Sequence, residues 1–424
     1  METDKIYDIV GIGIGPFNLG LAALLHDLPE LNVLFIDSRP GFNWHPGLLL
    51  PTAWMQVPFY ADLVSIVNPK SDFTYFSYLK TCKRLFKFAN NDNIYPLRIE
   101  YNRYCQWVAA QLLSLRFSHH CEMITWDHTQ NIYTVYTNQG MFHGKHIVLG
   151  TGTTPVMPES LLQLQSSRVI HAKDYLFHKN EILSYQNVTV LGSGQSAAEV
   201  FRDLLDHADD FESLSWFTRS NRFHPMDISR LTTEMTSFDY IDYFFSLSPD
   251  VKSLVLQQQQ YLYKGINAAL IAELNDMLYI RDTLQCKPTP IHANCSLLNA
   301  AVRDEKLHFY FFHIEKERSF THITDLLIAA TGYEYKIPAC ILPLLPHIQW
   351  DDQNRYRINR NYSIDSNNSL FVQNADLHTH GFNAADLGIG PLRNATIINT
   401  TLNQEVFTME KNSAFQSFDT PPYR

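Results

Sequence analysis

Gly11-Ile-Gly-Ile-Gly-Pro-Phe-Asn18 follows the short apolar run Ile6-Tyr-Asp-Ile-Val10. Three glycines directly behind a strand-like segment and ahead of a helix-like one form the turn of a dinucleotide-binding βαβ unit. Gly11 is expected to allow the tight turn, Gly13 to let the backbone approach a pyrophosphate, and Gly15 to start the helix. Pro16 suits a first helical turn. The helix, read over Gly15 to His26, offers free N–H groups and a partial positive charge to phosphates. Asn32–Asp37 reads as the next strand, and Asp37 stands at its end, where a carboxylate accepts ribose hydroxyls. The bland alternative is a glycine-rich turn without a ligand.

A second such element returns about 180 residues later. Leu191-Gly192-Ser-Gly194-Gln195-Ser196-Ala-Ala-Glu199 lies behind the strand Val188–Leu191 and opens a helix from Gln195 to about Leu205. The following strand, Leu214–Thr218, ends in Arg219-Ser-Asn-Arg222 instead of an acid. Arginine favours a 2′-phosphate that a carboxylate would repel, so the second unit reads as an NADPH site and the first as an FAD site. Arg219 and Arg222 could also be solvated loop residues.

With 424 residues, 45% of them hydrophobic and 18% charged, the chain exceeds one ordinary core. A formal charge of −10 argues against nucleic acid as the main partner. The six cysteines show no CxxC spacing, which argues against a dithiol redox centre or a zinc site and for a reducing compartment. The amino-terminal pattern lacks a signal peptide and no run of 18 apolar residues occurs, so the protein is expected to be cytoplasmic, without a membrane span or a metal.

Further along, Tyr101–Leu115 reads as helix, His146–Gly152 as a strand ending in glycine, 224–285 as mostly helical, Asp325–Gly332 as a buried strand, and 370–408 as strand then helix. The fold class is α/β, with two Rossmann-like dinucleotide-binding domains and a mostly helical substrate region. The expected division is 1–155 with 325–410 for FAD, 156–225 with 286–324 for NADPH, and 226–285 for substrate.

Several stretches carry a more specific likeness: Phe42-Asn-Trp-His-Pro-Gly47, Met55-Gln56, Asp62-Leu-Val-Ser65, Ala330-Thr-Gly-Tyr333 and His378-Thr-His-Gly381, together with both glycine turns. Over nearly the whole chain the sequence resembles the flavin-dependent N-hydroxylating monooxygenases of siderophore biosynthesis. The resemblance implies that NADPH reduces FAD, that O2 adds to give a C4a-hydroperoxyflavin, and that a neutral primary amine takes the distal oxygen to become a hydroxylamine. It places Gln56 near the flavin ring, Trp44 and His45 in the loop around it, and Asn267 near the reacting amine and NADP+. It gives Gln195 and Ser196 to NADPH, counts Asn18, Thr331, Gly332 and Leu387 among the cofactor contacts, and implies a homo-oligomer, tetramer or dimer. His45 could instead satisfy a loop carbonyl, Trp44 could be core, and Asn267 could cap a helix over Ala268–Leu278.

One departure speaks to the substrate. Members acting on ornithine or lysine carry a lysine before the Asp-Leu-Val-Ser segment, where it pairs with the amino acid's carboxylate. Here Ala61 stands in that place, and Gly388 falls where such members commonly have serine. A carboxylate buried without a partner costs several kcal/mol, so the expected substrate has none. Tyr95-Pro-Leu-Arg-Ile-Glu-Tyr101 and Ala385-Asp-Leu-Gly-Ile-Gly390 also resemble the branch acting on decarboxylated amines. Putrescine or cadaverine is favoured, then histamine, then L-lysine or L-ornithine. Asp62, Glu234 and Asp386 are all available to a second ammonium, and the sequence does not choose among them. Rival readings are a flavin-dependent disulfide reductase or NADPH oxidase, a carbon- or sulfur-oxidising flavoprotein, and a non-catalytic nucleotide-binding protein. The first lacks a CxxC pair, and the second lacks its FxGxxxHxxx(Y/F) signature.

Overall fold

The computed structural model describes residues 5–410 and 412–420. Residues 1–4, part of the stretch on which the signal-peptide reading rests, lie outside them. The strand Ile6–Ile12 lies inside the first sheet, parallel to Val33–Ile36 on one side and to Gly140–Leu149 on the other. Its residues Ile9, Val10 and Ile12 are buried, as a parallel sheet covered on both faces requires. The end of Gly140–Leu149 also pairs in parallel with Leu370–Val372, while its start turns into an antiparallel meander with Ile132–Thr137 and Cys121–Asp127. That meander was not expected.

The helix Pro16–His26 is apolar around most of its circumference because it is enclosed on most sides, and it packs on Gly390–Leu402. The helix expected over Tyr101–Leu115 runs from Arg98 to Ala109, and its residues Tyr101, Tyr104, Cys105 and Val108 are buried at helical spacing.

The second sheet is parallel throughout. Asn187–Leu191 is flanked by Ser213–Phe217 and Leu326–Ala329, with Ile291–His292 and Val169–His171 at the edges. The strand Leu326–Ala329 therefore belongs to the second sheet. The expected return into the first domain at residue 325 comes later, after Tyr333–Glu334, which pairs with the outgoing Thr154–Pro155. The reason is physical: a four-residue apolar strand carries no signal of which sheet receives it. Residues 295–324 form a three-stranded antiparallel sheet, in which the buried Leu307, Phe309 and Phe311 alternate with more exposed neighbours.

The region 226–285 is mostly helical, with helices Arg230–Thr233, Phe238–Ser246, Pro249–Gln258 and Ala268–Thr283. Among the described residues no helix is long and apolar enough to cross a membrane, and no group of side chains could hold a metal ion.

Two features bind the halves together. Leu48, Leu50 and Ala53, from the irregular segment of the first domain, pack in the second core against Ile170, Tyr175 and Val188. A side chain at Gly47 would place its Cβ 1.9 Å from the Lys173 carbonyl oxygen, which is why glycine ends the Trp-His-Pro-Gly run.

Candidate active site between two nucleotide turns

Both glycine turns form as expected, with a redistribution of roles. Gly11 is needed for strand packing, since a Cβ there would lie 2.1 Å from the Phe35 ring. The tight turn falls to Gly13, at φ +86°, where a Cβ would lie 2.5 Å from the Gly150 carbonyl oxygen. Gly15 precedes the helix and meets no protein atom within 4 Å of an added Cβ. It supplies no side-chain cap, and Pro16 is the first helical residue. The first-turn N–H groups are thus left to a ligand or water.

The second turn repeats the pattern. Gly192, at φ +151°, presses on the Ala330 carbonyl, and Gly194 precedes the helix Gln195–Leu205 without a side-chain cap. These two cradles, each at a strand end and each able to donate N–H groups, fit the phosphates of two dinucleotides.

Asn18 is fully buried, and its amide nitrogen donates to the carbonyls of Gly13 (2.8 Å), Val148 (3.3 Å) and Ile12 (3.4 Å). It ties the turn to the neighbouring strand, so the expected cofactor contact is replaced by a positioning role. Asp37 ends its strand as expected. Its carboxylate accepts from the Ile14 amide at 2.7 Å and from Arg39 at 2.6 and 2.9 Å. Burial pushes the carboxyl pKa up, but the Arg39 hydrogen bonds and charge and the Ile14 amide outweigh it, and the group lies below its usual range.

The cleft between the domains collects the other site residues. Trp44 packs on the first core beside Tyr101, and its amide donates to Asn102. His45 adopts a left-handed conformation at φ 50° and lies beside Trp44 and Tyr333. Surrounding protein and the charges of Arg98 and Arg39 push its pKa down to about 4.

Gln56 donates toward the Gly265 carbonyl (3.3 Å), Met226 Sδ (3.5 Å) and Gln195 Oε1 (3.5 Å). Gln195 Oε1 also accepts from the Asn267 amide at 2.8 Å. Gln56, Gln195 and Asn267, which are 139 and 72 residues apart in successive steps, therefore meet at one oxygen. Asn267 precedes the helix Ala268–Thr283 but makes no side-chain cap, so capping does not account for its side chain.

Gln195 donates in turn to Glu199, whose carboxylate is held by Arg98 through two 2.7 Å bonds. The Arg98–Glu199 pair was invisible in the sequence. Only the paired occurrence of Glu199 in the turn motif and Arg98 in the Tyr95–Tyr101 stretch hinted at it.

Arg219 is exposed just past its strand, and Lys264 feels its charge: burial and then Arg219 lower the lysine pKa. Arg222 contacts His224. Ser196 is half-buried in the first turn of its helix. Thr331 donates through its hydroxyl to the Val156 carbonyl, and Gly332 takes φ +89°. Both lie at the crossing between domains. The neighbouring Tyr333 hydroxyl is buried without a partner among the described residues. Cys121 and Cys340 approach each other at an edge strand of the first sheet, and both are free thiols.

At the expected substrate end, Ala61 is buried, and an added Cβ on Gly388 would lie 3.4 Å from the Ala61 Cβ. The two positions singled out in the sequence are neighbours in space. Leu387 packs on the first core and lines a small cavity with Phe17, Asp62 and Tyr101.

The matches with known proteins agree with this geometry. A model of the family described as L-lysine 6-monooxygenase/L-ornithine 5-monooxygenase matches residues 5–335. The chain is 41% identical over 423 residues to the putrescine N-hydroxylase of Acinetobacter baumannii, covering 99% of this chain and 95% of that protein. It is also 41% identical to the putrescine N-hydroxylase of Shewanella oneidensis, covering 98% and 85%. A solved structure of a cadaverine monooxygenase of the desferrioxamine pathway from Erwinia amylovora, DfoA bound to FAD, superposes with a TM-score of 0.96 at 38% identity, covering 99% of this chain and all of that one. The chain belongs to this L-lysine 6-monooxygenase/L-ornithine 5-monooxygenase family of flavin-dependent N-hydroxylating monooxygenases.

Proposed function

We propose that the protein N-hydroxylates one amine of an aliphatic diamine, using FAD, NADPH and O2, in the cytoplasmic synthesis of a hydroxamate-type siderophore. One observation carries the substrate reading: Ala61 and Gly388 face each other where a carboxylate-binding cation would be needed. Arg393, in the helix that follows this loop, is fully buried and already committed to the Ala384 carbonyl at 2.6 Å and to Asp376 at 3.4 Å. A carboxylate entering here would lose water without gaining a counter-ion. The putrescine and cadaverine specificities of the similar proteins point the same way.

FAD, when bound and reduced by NADPH, supplies the oxygen-transfer chemistry. The chain's own residues bind, orient and dry the reactants. The two uncapped helix ends would hold the phosphates, with Asp37 and Arg39 toward the ribose of the first and Arg219 and Lys264 toward the 2′-phosphate of the second. Gln195 fixes Gln56 and the Asn267 main chain relative to each other, so that the flavin-facing and amine-facing groups share one support. The attacking amine must be neutral, and the desolvation and then the Arg98 and Arg39 charges that keep His45 uncharged would also disfavour an ammonium beside that loop. Closing the cleft against water lowers the amine's pKa further and limits loss of oxidising equivalents as peroxide. The family likeness also supports a homo-oligomer.

The test is hydroxylamine formation with putrescine, cadaverine, histamine, L-lysine and L-ornithine, with peroxide release followed in parallel. Product from the carboxylate-free amines alone is expected. Product chiefly from lysine or ornithine would overturn the proposal.

A further inference from the structure

Of the three acids available to a second ammonium, one is already spent and one lies away from the substrate end. Asp62 accepts from the Val64 and Ser65 amides (3.0 and 2.7 Å), the Ser65 hydroxyl (2.6 Å) and the Tyr75 amide (2.7 Å). Glu234 accepts the main-chain and side-chain amides of Gln416 on Oε2 alone, at 3.0 and 3.2 Å, and lies more than 4 Å from a Cβ added at Gly388. Asp386 differs. Its Oδ1 accepts from the Gly388 amide at 2.7 Å, the Ile389 amide adds a second bond, and no side chain donates to it. The residue is half-buried, and desolvation raises its pKa against the two amides and the charge of Arg393.

Gly388 links this carboxylate to the substrate end. An added Cβ at Gly388 would lie 3.0 Å from Asp386 Oδ1 and 3.4 Å from the Ala61 Cβ. Any side chain at 388 would crowd the carboxylate, and a lysine at 61 would neutralise it. Both replacements therefore do two things at once: they remove groups that hold an anion, and they leave an anion in the same place. A carboxylate desolvated without a counter-ion is costly, and a ligand ammonium supplies the missing charge.

Resting on the diamine reading, we propose that Asp386 binds the second, non-reacting ammonium of the substrate and is the specificity-determining residue of the pocket. The charge at this end of the site is thereby inverted relative to members that bind amino acids. Asp386 holds the distal nitrogen and leaves the proximal amine to be deprotonated in the drier part of the cleft.

The test uses the FAD-loaded enzyme with putrescine, n-butylamine and 4-aminobutanoate, which share a four-carbon chain and differ at the far end. For the wild type, KM should rise at least about 100-fold from putrescine to n-butylamine and further for 4-aminobutanoate. In Asp386→Asn, at matched FAD content, KM for putrescine should rise about 100-fold with kcat within about threefold, and the preference over n-butylamine should vanish. The proposal is overturned if the variant keeps its putrescine KM, or loses putrescine and n-butylamine equally. Should the variant not fold, the wild-type series still decides: 4-aminobutanoate used as well as n-butylamine overturns it. Wild-type turnover of L-lysine or L-ornithine without any diamine turnover would instead sink the diamine reading itself, before Asp386 is tested.

Discussion

The first and second glycine turns are built from the same strand, turn and uncapped helix, yet they end differently. Behind the first, Asp37 is buried and locked by Ile14 and Arg39. Behind the second, Arg219 is exposed, with Lys264 as its charged neighbour. A buried, prearranged acceptor holds its ligand with little cost of ordering, as suits a cofactor that stays. Exposed, screened cations attract an anionic ligand and let it go, as suits one that exchanges.

The largest expected effect comes from cutting what joins the two units. Arg98→Met leaves Glu199 buried without its partner, which should cost about 3–5 kcal/mol of stability and lower the urea midpoint clearly. An unchanged midpoint would mean that the pair is decorative and the domains are held by Leu48, Leu50 and Gly47 alone. Next, Asp37→Ala removes charge-assisted hydrogen bonds and should weaken FAD retention about 10- to 100-fold, read from the fluorescence of released flavin, with little change in the KM for NADPH. If both cofactors suffer equally, the contrast between the turns is lost.

Arg219→Gln acts on the other side. The KM for NADPH should rise about tenfold while that for NADH stays near its starting value, and the difference should shrink at high salt. Equal effects on the two nucleotides would remove the 2′-phosphate assignment.

The smallest effect is that of pH on the first unit. His45 is held neutral down to about 4, so its contribution to stability is complete above its ordinary 6.5 and is lost as pH falls from there. Asp37 is held below its ordinary 3.8, so its contribution is complete above that value and is lost only at lower pH. Thermal release of FAD should therefore be flat from pH 8 to 6.5 and decline gently toward pH 4. His45→Gln should flatten that decline. A steep fall above pH 7 would mean that another group controls the site.

Much of this was legible in the sequence because the signals are local. Both βαβ units announce themselves within about 30 residues, and the helix Gln195–Leu205 has the bounds read from its pattern. Ala61 and Gly388 were visible as missing polar groups, and the fold brings them together across 327 positions. What escaped depends on pairings between distant segments. The strand Leu326–Ala329 is apolar enough for either sheet, and only its partners decide. Asp386 reads like Asp62 or Glu234 until the fold sets its carboxylate beside Gly388 and Ala61. Gln56 and Asn267 could be nominated separately, but their common anchor on Gln195 is a tertiary fact.

The side-by-side crossings at Thr154–Pro155 and Tyr333–Glu334 have a consequence for synthesis. The second sheet is nested within the first, so its last strand, Leu326–Ala329, leaves the ribosome before Leu370–Val372 and the helix Gly390–Leu402, which the first still lacks. The inner domain can thus mature while the outer one waits with the end of Gly140–Leu149, from Ile147 on, unpaired along one side. A released chain truncated near residue 360 should present a protease-resistant inner fragment and a sensitive amino-terminal one.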